Sequence, residues 1–572
     1  MKINGGQLAA KTLKEAGVEV VFAIHGGHLE TFLGGCRDEG IRLIDTRHEA
    51  AAVNAADGYS RATGRLGVAA VTSGPGLTNA VAGISNSAAD GTSVLIITSS
   101  PPLNEAEQLE LQGGLDLIGM VRPITKWAHK VLEVSRIADL VALGVRHALS
   151  PPCGPVVVDI PINIAFKKTT ISDLVRGGAP AIPKLARASQ QSIERAAELL
   201  NDAKRPVIVV GEGTLCEDVA QPLATLAEAA SVPVFTSCVA FQGLPKGHEL
   251  NGGNVSFIPM LSQAPDLVIL AGARQGLFTG AGGGQMVPRD AKVIQIDSAP
   301  SEIGRIYPVD VGLIGSCADA LSELARAKNW QARSEWCTEA VSMRNAGDIL
   351  YPNASQEEDG IHPHAAANSI LDQAPPGTIL VLDGGETPLW ADWAVGSREL
   401  SGILNLGYQG HLGIGQGYAI GAQVAYPEKR VLQISGDGAI GFHIQEWDTM
   451  VRHELPIVTV IYNNACWAMS LHGQEAFGGP GSDLITRLAP TDYHIVAQGF
   501  GAHGELVERL EDLQPAIQRA FAIGKPAVVN VRIAASVEHP VSTAMNGGSK
   551  SKEPNEQSDD DMAMPYYQSD AD

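Results

Sequence analysis

Several things are scarce in this sequence, and each scarcity closes a route. Its 572 residues hold seven cysteines: Cys36, Cys153, Cys216, Cys238, Cys317, Cys337 and Cys466. They are odd in number, scattered and without a CxxC pair, which argues against a disulfide framework or a zinc site and for reduced intracellular thiols. Positive charge is short. A net charge of −22 speaks against nucleic acid or an anionic membrane as the main partner, since both favour a basic surface. No uncharged apolar run approaches the length of a membrane span. The opening MKINGGQLAAKTLKEAG lacks the apolar core of a signal peptide, and the final SDAD carries no retention or peroxisomal signal, so the cytosol is the expected location.

What is present is globular. Hydrophobic residues make up 45% and charged residues 18%, and the chain is too long for one core. The 63 glycines suit many tight strand-to-helix turns. Short β-branched runs alternate with longer amphipathic stretches, which predicts βαβ units on parallel sheets. Examples are residues 19–24, 93–97, 205–210, 292–297, 378–383 and 456–461. The pattern weakens between residues 165 and 188 and again around 351–360. The expected class is therefore α/β, with three doubly wound parallel-sheet domains at 1–172, 190–335 and 362–540. Residues 541–572 are too polar to fold alone and read as an acidic disordered tail.

Two turns carry the first chemistry. Gly436-Asp437-Gly438 follows one apolar run and Asn463-Asn464 follows the next, with 26 residues between Asp437 and Asn464. Either turn alone is common. Together they place a carboxylate and an amide oxygen at adjacent strand ends, the donor set Mg²⁺ takes when it also holds phosphate oxygens. The glycines admit phosphate close to the backbone, and Ala439 opens a helix whose N–H groups can face it.

At this spacing the chain, up to about residue 540, resembles the thiamine-diphosphate enzyme superfamily of acetolactate synthase, pyruvate decarboxylase and benzaldehyde lyase. The resemblance implies thiamine diphosphate and Mg²⁺ as cofactors. It makes 1–172 the pyrimidine-binding domain, 190–335 a central domain and 362–540 the diphosphate- and Mg-binding domain. It also implies that Asp437, the Asn464 side chain and the Cys466 carbonyl hold the metal. Gly385, Gly407, Gly436, Gly438 and Ala439 would contact the cofactor, and Leu412 would support its bend. Glu49, within Arg47-His48-Glu49-Ala50, would bond the pyrimidine and activate it; shielding from water would tune that carboxylate. In this superfamily the glutamate and the diphosphate site come from different subunits, so a homodimer at minimum, and commonly a homotetramer, is expected.

The closest local pattern is that of benzaldehyde lyase. It rests on His25-Gly26-Gly27-His28, Asp45-Thr46-Arg47-His48-Glu49, Leu111-Gln112-Gly113-Gly114, Pro123 to His129 and Asp448 to Arg452. By this likeness His28 moves the substrate hydroxyl proton, a task suited to an imidazole near neutrality, and Gln112 lies by the reacting carbon. The substrate pocket would be lined by His25, Gly27, Ile162, Pro388, His411 and Met469, with Glu386 as an added acid. Ile162 and Pro388 stand where benzaldehyde lyase has aromatics, and Met469 where it has alanine. The expected function is reversible cleavage or formation of 2-hydroxyketones from aldehydes, through an enamine on the cofactor. The alternatives are a decarboxylating 2-oxoacid carboligase, a 2-hydroxyacyl-CoA lyase, and a regulatory binding protein on a degenerate cofactor fold. The turns Gly272-Ala273-Arg274 and Gly282-Gly283-Gly284 arise in any doubly wound domain and predict no flavin.

Overall fold

The computed structural model describes residues 2–545 apart from 106, 107, 109, 110, 113, 171–181, 183, 242, 328 and 329. Three six-stranded, all-parallel sheets follow one another along the chain. The first contains β1 (Val20–Ala23), β2 (Arg42–Asp45), β3 (Gly67–Val71), β4 (Val94–Thr98), β5 (Trp127–Lys130) and β6 (Val156–Asp159), in the order β2-β1-β3-β4-β6-β5. The second contains β7 (Pro206–Val210), β8 (Val234–Thr236), β9 (Asn251–Asn254), β10 (Leu267–Ala271), β11 (Lys292–Asp297) and β12 (Val311–Ile314), in the order β9-β8-β7-β10-β11-β12. The third contains β13 (Thr378–Asp383), β14 (Leu400–Leu404), β15 (Val431–Gly436), β16 (Val458–Asn463), β17 (His503–Val507) and β18 (Ala527–Arg532), in the order β14-β13-β15-β16-β18-β17. The central strands are nearly continuous apolar runs, not alternating ones, because helices cover both faces and every residue is buried.

The first and third blocks meet along two helices, α1 (Glu49–Thr63) and α4 (Gly415–Ala425). Glycine makes the approach possible: a Cβ on Gly58 would lie 2.6 Å from the Tyr418 Cα, and one on Gly417 would lie 2.5 Å from the Asn54 Cβ. Under this seam runs a buried network. Arg61 pairs with Asp57 at 2.8 Å and with Asp90 at 2.7 Å, and the Tyr418 hydroxyl donates to Asp57 at 3.0 Å. Asp90 ends α2 (Pro75–Asp90).

The sequence placed residues 541–545 in the polar tail, but they continue a helix, Pro540–Met545, in which Ser542 is buried. The reason is an anchor just upstream: the buried His539 ring meets Trp390 and Trp393 edge-on, each at 4.4 Å. The rest of the expected tail lies outside the described residues.

Candidate active site

The two sequence turns converge at the carboxyl end of the third sheet. In the parallel ladder Gly436 is paired with Tyr462, so Asp437 and Asn464 both leave the sheet at the same edge. Asp437 opens a short helix and is buried. Its Oδ1 accepts from the Gly438 N–H at 2.9 Å, while Oδ2 makes no hydrogen bond. Burial raises its pKa to about 7, against the opposing pull of the N–H groups of Gly438, Ala465 and Cys466. Ala465 has a left-handed φ of 55°. For a residue with a Cβ that conformation is uncommon, and it turns the backbone of the neighbouring strand end toward Asp437.

A buried carboxylate with one unpaired oxygen calls for a cation, and here one fits. Among the described residues no group of three or more His, Cys, Asp or Glu could hold a metal ion. An ion at this edge would therefore take the oxygens of Asp437, the half-buried Asn464 and the Cys466 backbone together with phosphate. Burial pushes the Cys466 thiol up to about 12, so it contributes no thiolate. Gly438 has a packing reason as well, because a Cβ there would meet the Trp467 ring at 2.5 Å.

The loop bearing Leu412 is held from beneath by Asp383, which ends β13. Its carboxylate accepts from the Gly413 N–H at 3.1 Å and the Gly415 N–H at 2.8 Å. Burial still raises its pKa to about 7. Leu412 is half-buried beside Gly413, and a Cβ on Gly413 would overlap Phe442, which follows the Gly436-Asp437-Gly438 turn. Gly407 has a different cause: a Cβ there would overlap the Asp90 carboxylate, so close packing of the first block already requires glycine.

At the first sheet, Glu49 is the first residue of α1, half-buried, and its Oε2 accepts from Asn79 Nδ2 at 3.0 Å. Asn79, on α2, fixes one carboxylate oxygen and leaves the other for a ligand. Gly27 and His28 lie in the turn after β1, where a Cβ on Gly27 would meet nothing within 4 Å. Burial lowers the His28 pKa. Gln112 holds a left-handed φ of 73° and packs on Gly74, at the start of α2. The buried side-chain hydroxyls of Thr72 and Ser73 and the Gln112 Oε1 make no hydrogen bond, and Thr72 and Ser73 directly follow β3. That edge is a polar rim short of partners.

Comparison with known proteins decides what these edges share. The family model for the N-terminal thiamine pyrophosphate (TPP) binding domain of thiamine pyrophosphate enzymes matches residues 3–120. The central-domain model matches 193–324, and that for the C-terminal TPP binding domain matches 383–531. The chain belongs to the thiamine pyrophosphate enzyme family. Among its relatives, the acetolactate synthase large subunit IlvG of Mycobacterium tuberculosis is 33% identical over 544 residues, covering 94% of this chain and 97% of that protein. The 2-hydroxyacyl-CoA lyase 2 of Bos taurus is 30% identical over 583 residues, covering 93% and 90%, and that of Homo sapiens is 28% identical over 579 residues, covering 93% and 90%.

Within this thiamine pyrophosphate enzyme the remaining residues expected from sequence to line the pocket fall into separate groups. Met469, on α5 (Ala468–Gly478), lies against Gly385: a Cβ on Gly385 would be 3.0 Å from the Met469 Cβ. Gly385 caps α3 (Glu386–Trp393), which buries Pro388. Glu386 is no free acid in the pocket. It is buried and bonds His472 Nδ1 at 2.8 Å, while His472 Nε2 bonds the Ala535 carbonyl at 2.9 Å. Burial alone would lower the His472 pKa, but the Glu386 carboxylate wins and raises it. Ile162 begins a short helix, Ile162–Phe166, that packs on the turn holding His28. His25 is exposed and bonds Glu30 at 2.8 Å. His411 is half-buried with a pKa lowered by burial, and it lies near the Ala82 carbonyl of the first block.

Asn79, Asp383, Thr72, Ser73 and the Glu386–His472 pair escape sequence reasoning. The Ser73-Gly74-Pro75 and Ser99-Ser100-Pro101 breaks after apolar runs are the one sequence signal that marks the polar rim. Among the described residues no helix is long and apolar enough to cross a membrane.

Proposed function

We propose that this chain is a thiamine-diphosphate- and Mg²⁺-dependent lyase and carboligase that breaks or makes the carbon–carbon bond of a 2-hydroxyketone next to its carbonyl. The observation that carries the reading is the buried Asp437 carboxylate with an unpaired oxygen, facing the backbone of the neighbouring strand end. When bound, thiamine diphosphate supplies a carbon nucleophile and an electron sink for the broken bond. Asp437, Asn464 and the Cys466 carbonyl would hold Mg²⁺ against the diphosphate, and Leu412 would support the cofactor from below. Glu49, oriented by Asn79, would hold a proton at the pyrimidine nitrogen.

His28 acts on the substrate. Burial keeps its imidazole neutral near pH 7, so it can take the proton of the substrate hydroxyl as the bond breaks and return it on ligation. Gln112 would orient the same oxygen. The likeness to benzaldehyde lyase rests on the local runs around His28, Glu49 and Gln112. Ile162, Pro388 and Met469 are aliphatic side chains at positions expected to line the pocket, which suits an aliphatic or bifunctional aldehyde better than two phenyl rings. Exposed Phe442, Leu484 and Ile485, at 53%, 73% and 98% exposure, flank the metal turn and support burial against a second copy, at least a homodimer. That copy's Glu49 would then face this diphosphate site.

The relatives favour a second reading. One is an acetolactate synthase by name and the others are 2-hydroxyacyl-CoA lyases, so a 2-oxoacid or a 2-hydroxyacyl-CoA could feed the same site. Protein loaded with thiamine diphosphate and Mg²⁺ is to be offered aliphatic and aromatic acyloins, 2-hydroxyacyl-CoA thioesters and 2-oxoacids, following aldehyde and CO₂. Aldehyde from acyloins is the expected outcome. Rapid CO₂ release without any acyloin cleavage refutes the proposal in favour of the decarboxylating reading.

A further inference from the structure

Cys153 lies in the turn between the helix Ile137–Leu149 and β6, and Cys216 lies in the turn after β7. One belongs to the first block and the other to the second. The Sγ atoms are 2.6 Å apart, both residues are partly exposed, and both are free thiols. The other sulfurs in contact with a neighbour have no such partner: Cys337 donates to the Ser231 carbonyl at 3.2 Å, and Cys238 accepts from Asn254 at 3.7 Å. Two thiols brought side by side across a domain boundary, 63 positions apart in sequence, are placed for covalent linkage.

We propose that Cys153 and Cys216 are a reversible redox site, closing a disulfide between the first and middle blocks when the protein meets an oxidised small-molecule disulfide such as oxidised glutathione. The surroundings assign the order of events. The Cys216 thiol donates to Cys153 and Lys126 brings its charge nearby, which together lower the Cys153 pKa, whereas the same hydrogen bond and burial raise that of Cys216. Lys126 is held there by donating to the carbonyls of Ser150 and Pro152. Cys153, as the thiolate, attacks one sulfur of the small disulfide, breaking its S–S bond and expelling one thiolate. Cys216 then gives up its proton and attacks the Cys153 sulfur, expelling the second thiolate. Two protein thiols are oxidised, the small disulfide is reduced to two thiols, and the two released protons pass to those thiols.

The linkage falls on a contact that already exists. Arg274 of the middle block donates to the Ala89 carbonyl at 2.9 Å, and the Leu215 carbonyl sits over Gly64, just past the end of α1. A covalent tie here restrains how the middle block sits on the end of the α1–α2 seam without touching Glu49, His28 or Asp437.

The test uses the full chain equilibrated with excess oxidised glutathione. Free thiols are then alkylated in denaturant and the peptides mapped by mass spectrometry. One linked Cys153–Cys216 peptide, five alkylated cysteines among the seven and reversal by dithiothreitol are expected. The oxidised form should also unfold at a higher temperature, a gain that Cys216→Ser abolishes while trapping glutathione on Cys153. Seven alkylated cysteines after this treatment overturn the proposal, and so does a glutathione adduct on wild-type Cys153 that never transfers to Cys216.

Discussion

The first and third sheets have the same strand order but carry different residues past their strand ends. In each, the second strand leads into the seam helix: β2 into α1, headed by Glu49, and β14 into α4, preceded by Leu412. The third strand ends in Thr72-Ser73 in one block and in Asp437 in the other. The fourth ends in Ser99-Ser100 or Asn464, and the first leads to His28 or to Gly385. On the proposed reading one scaffold is dressed twice, with oxygens for a cation at one edge and with hydroxyls, an imidazole and a carboxylate for proton handling at the other. The middle sheet has a different order, β9-β8-β7-β10-β11-β12, and its Arg274 is spent on Glu212 at 2.7 Å and on the first block. Function follows the strand-end residues, not the winding of the sheet.

Exchanging losses between the two edges tests this division hardest. Asp437→Ala should remove the anchor, so that cofactor and Mg²⁺ wash out together and turnover disappears. Glu49→Gln should retain both, measured by calorimetry, while kcat falls by about 10²–10⁴-fold, the usual weight of a positioned proton-transfer group. If Glu49→Gln released the cofactor as readily as Asp437→Ala, the two edges would not divide binding from reaction.

A smaller effect belongs to His28. Burial holds its pKa below the ordinary histidine value, so the imidazole stays a base through neutrality and charges only in acid. The kcat/KM profile for acyloin cleavage should therefore be flat from neutral pH downward until below the usual histidine range, then fall. His28→Gln should lower kcat by about 10²-fold, as for loss of one general base, and should erase that acid limb. A variant that kept the limb would move the proton role elsewhere.

The seam itself can be loosened without touching either edge. Arg61→Met leaves Asp57 and Asp90 facing one another without their cation. Losing one partner of a buried ion pair costs about 3–5 kcal/mol, visible as a lower denaturation midpoint in urea. An unchanged midpoint would mean that the apolar packing of α1 on α4 carries the seam alone.

What the sequence disclosed and what it hid divide along the same physical line. The buried central strands were legible because burial on both faces demands nearly unbroken apolar runs, and the 26-residue gap between Asp437 and Asn464 is one turn of a βαβ unit. The edge strand Asn251–Asn254 is composed of Asn and Gly, so its pairing comes from its neighbour and not from its own residues. Asn79 on Glu49 and Asp383 on Gly413 are contacts across 30 positions each. Such contacts follow from how elements pack, so no local pattern announces them. Glu386 shows the converse: read from sequence it was a pocket acid, but folding supplies His472 and consumes it.

A further expected effect reads the Asp437 edge without any activity. In the protein free of metal and cofactor, burial holds the Asp437 pKa at about 7, whereas in the unfolded chain an aspartate titrates at about 3.9. Across that window the unfolded state loses its proton first. Stability contributed at Asp437 is therefore present below the unfolded value, falls as pH rises toward 7 and levels off above it. Asp437→Asn removes the titration, so the apo variant should melt above the apo wild type at pH 8 and draw level near pH 4. Saturating Mg²⁺ with thiamine diphosphate should reverse the ranking at pH 8, because only the carboxylate gains a cation. A difference in melting temperature that stayed constant from pH 4 to 8 would show that Asp437 is not a buried charge waiting for a metal, and the contrast between the two edges would lose its electrostatic basis.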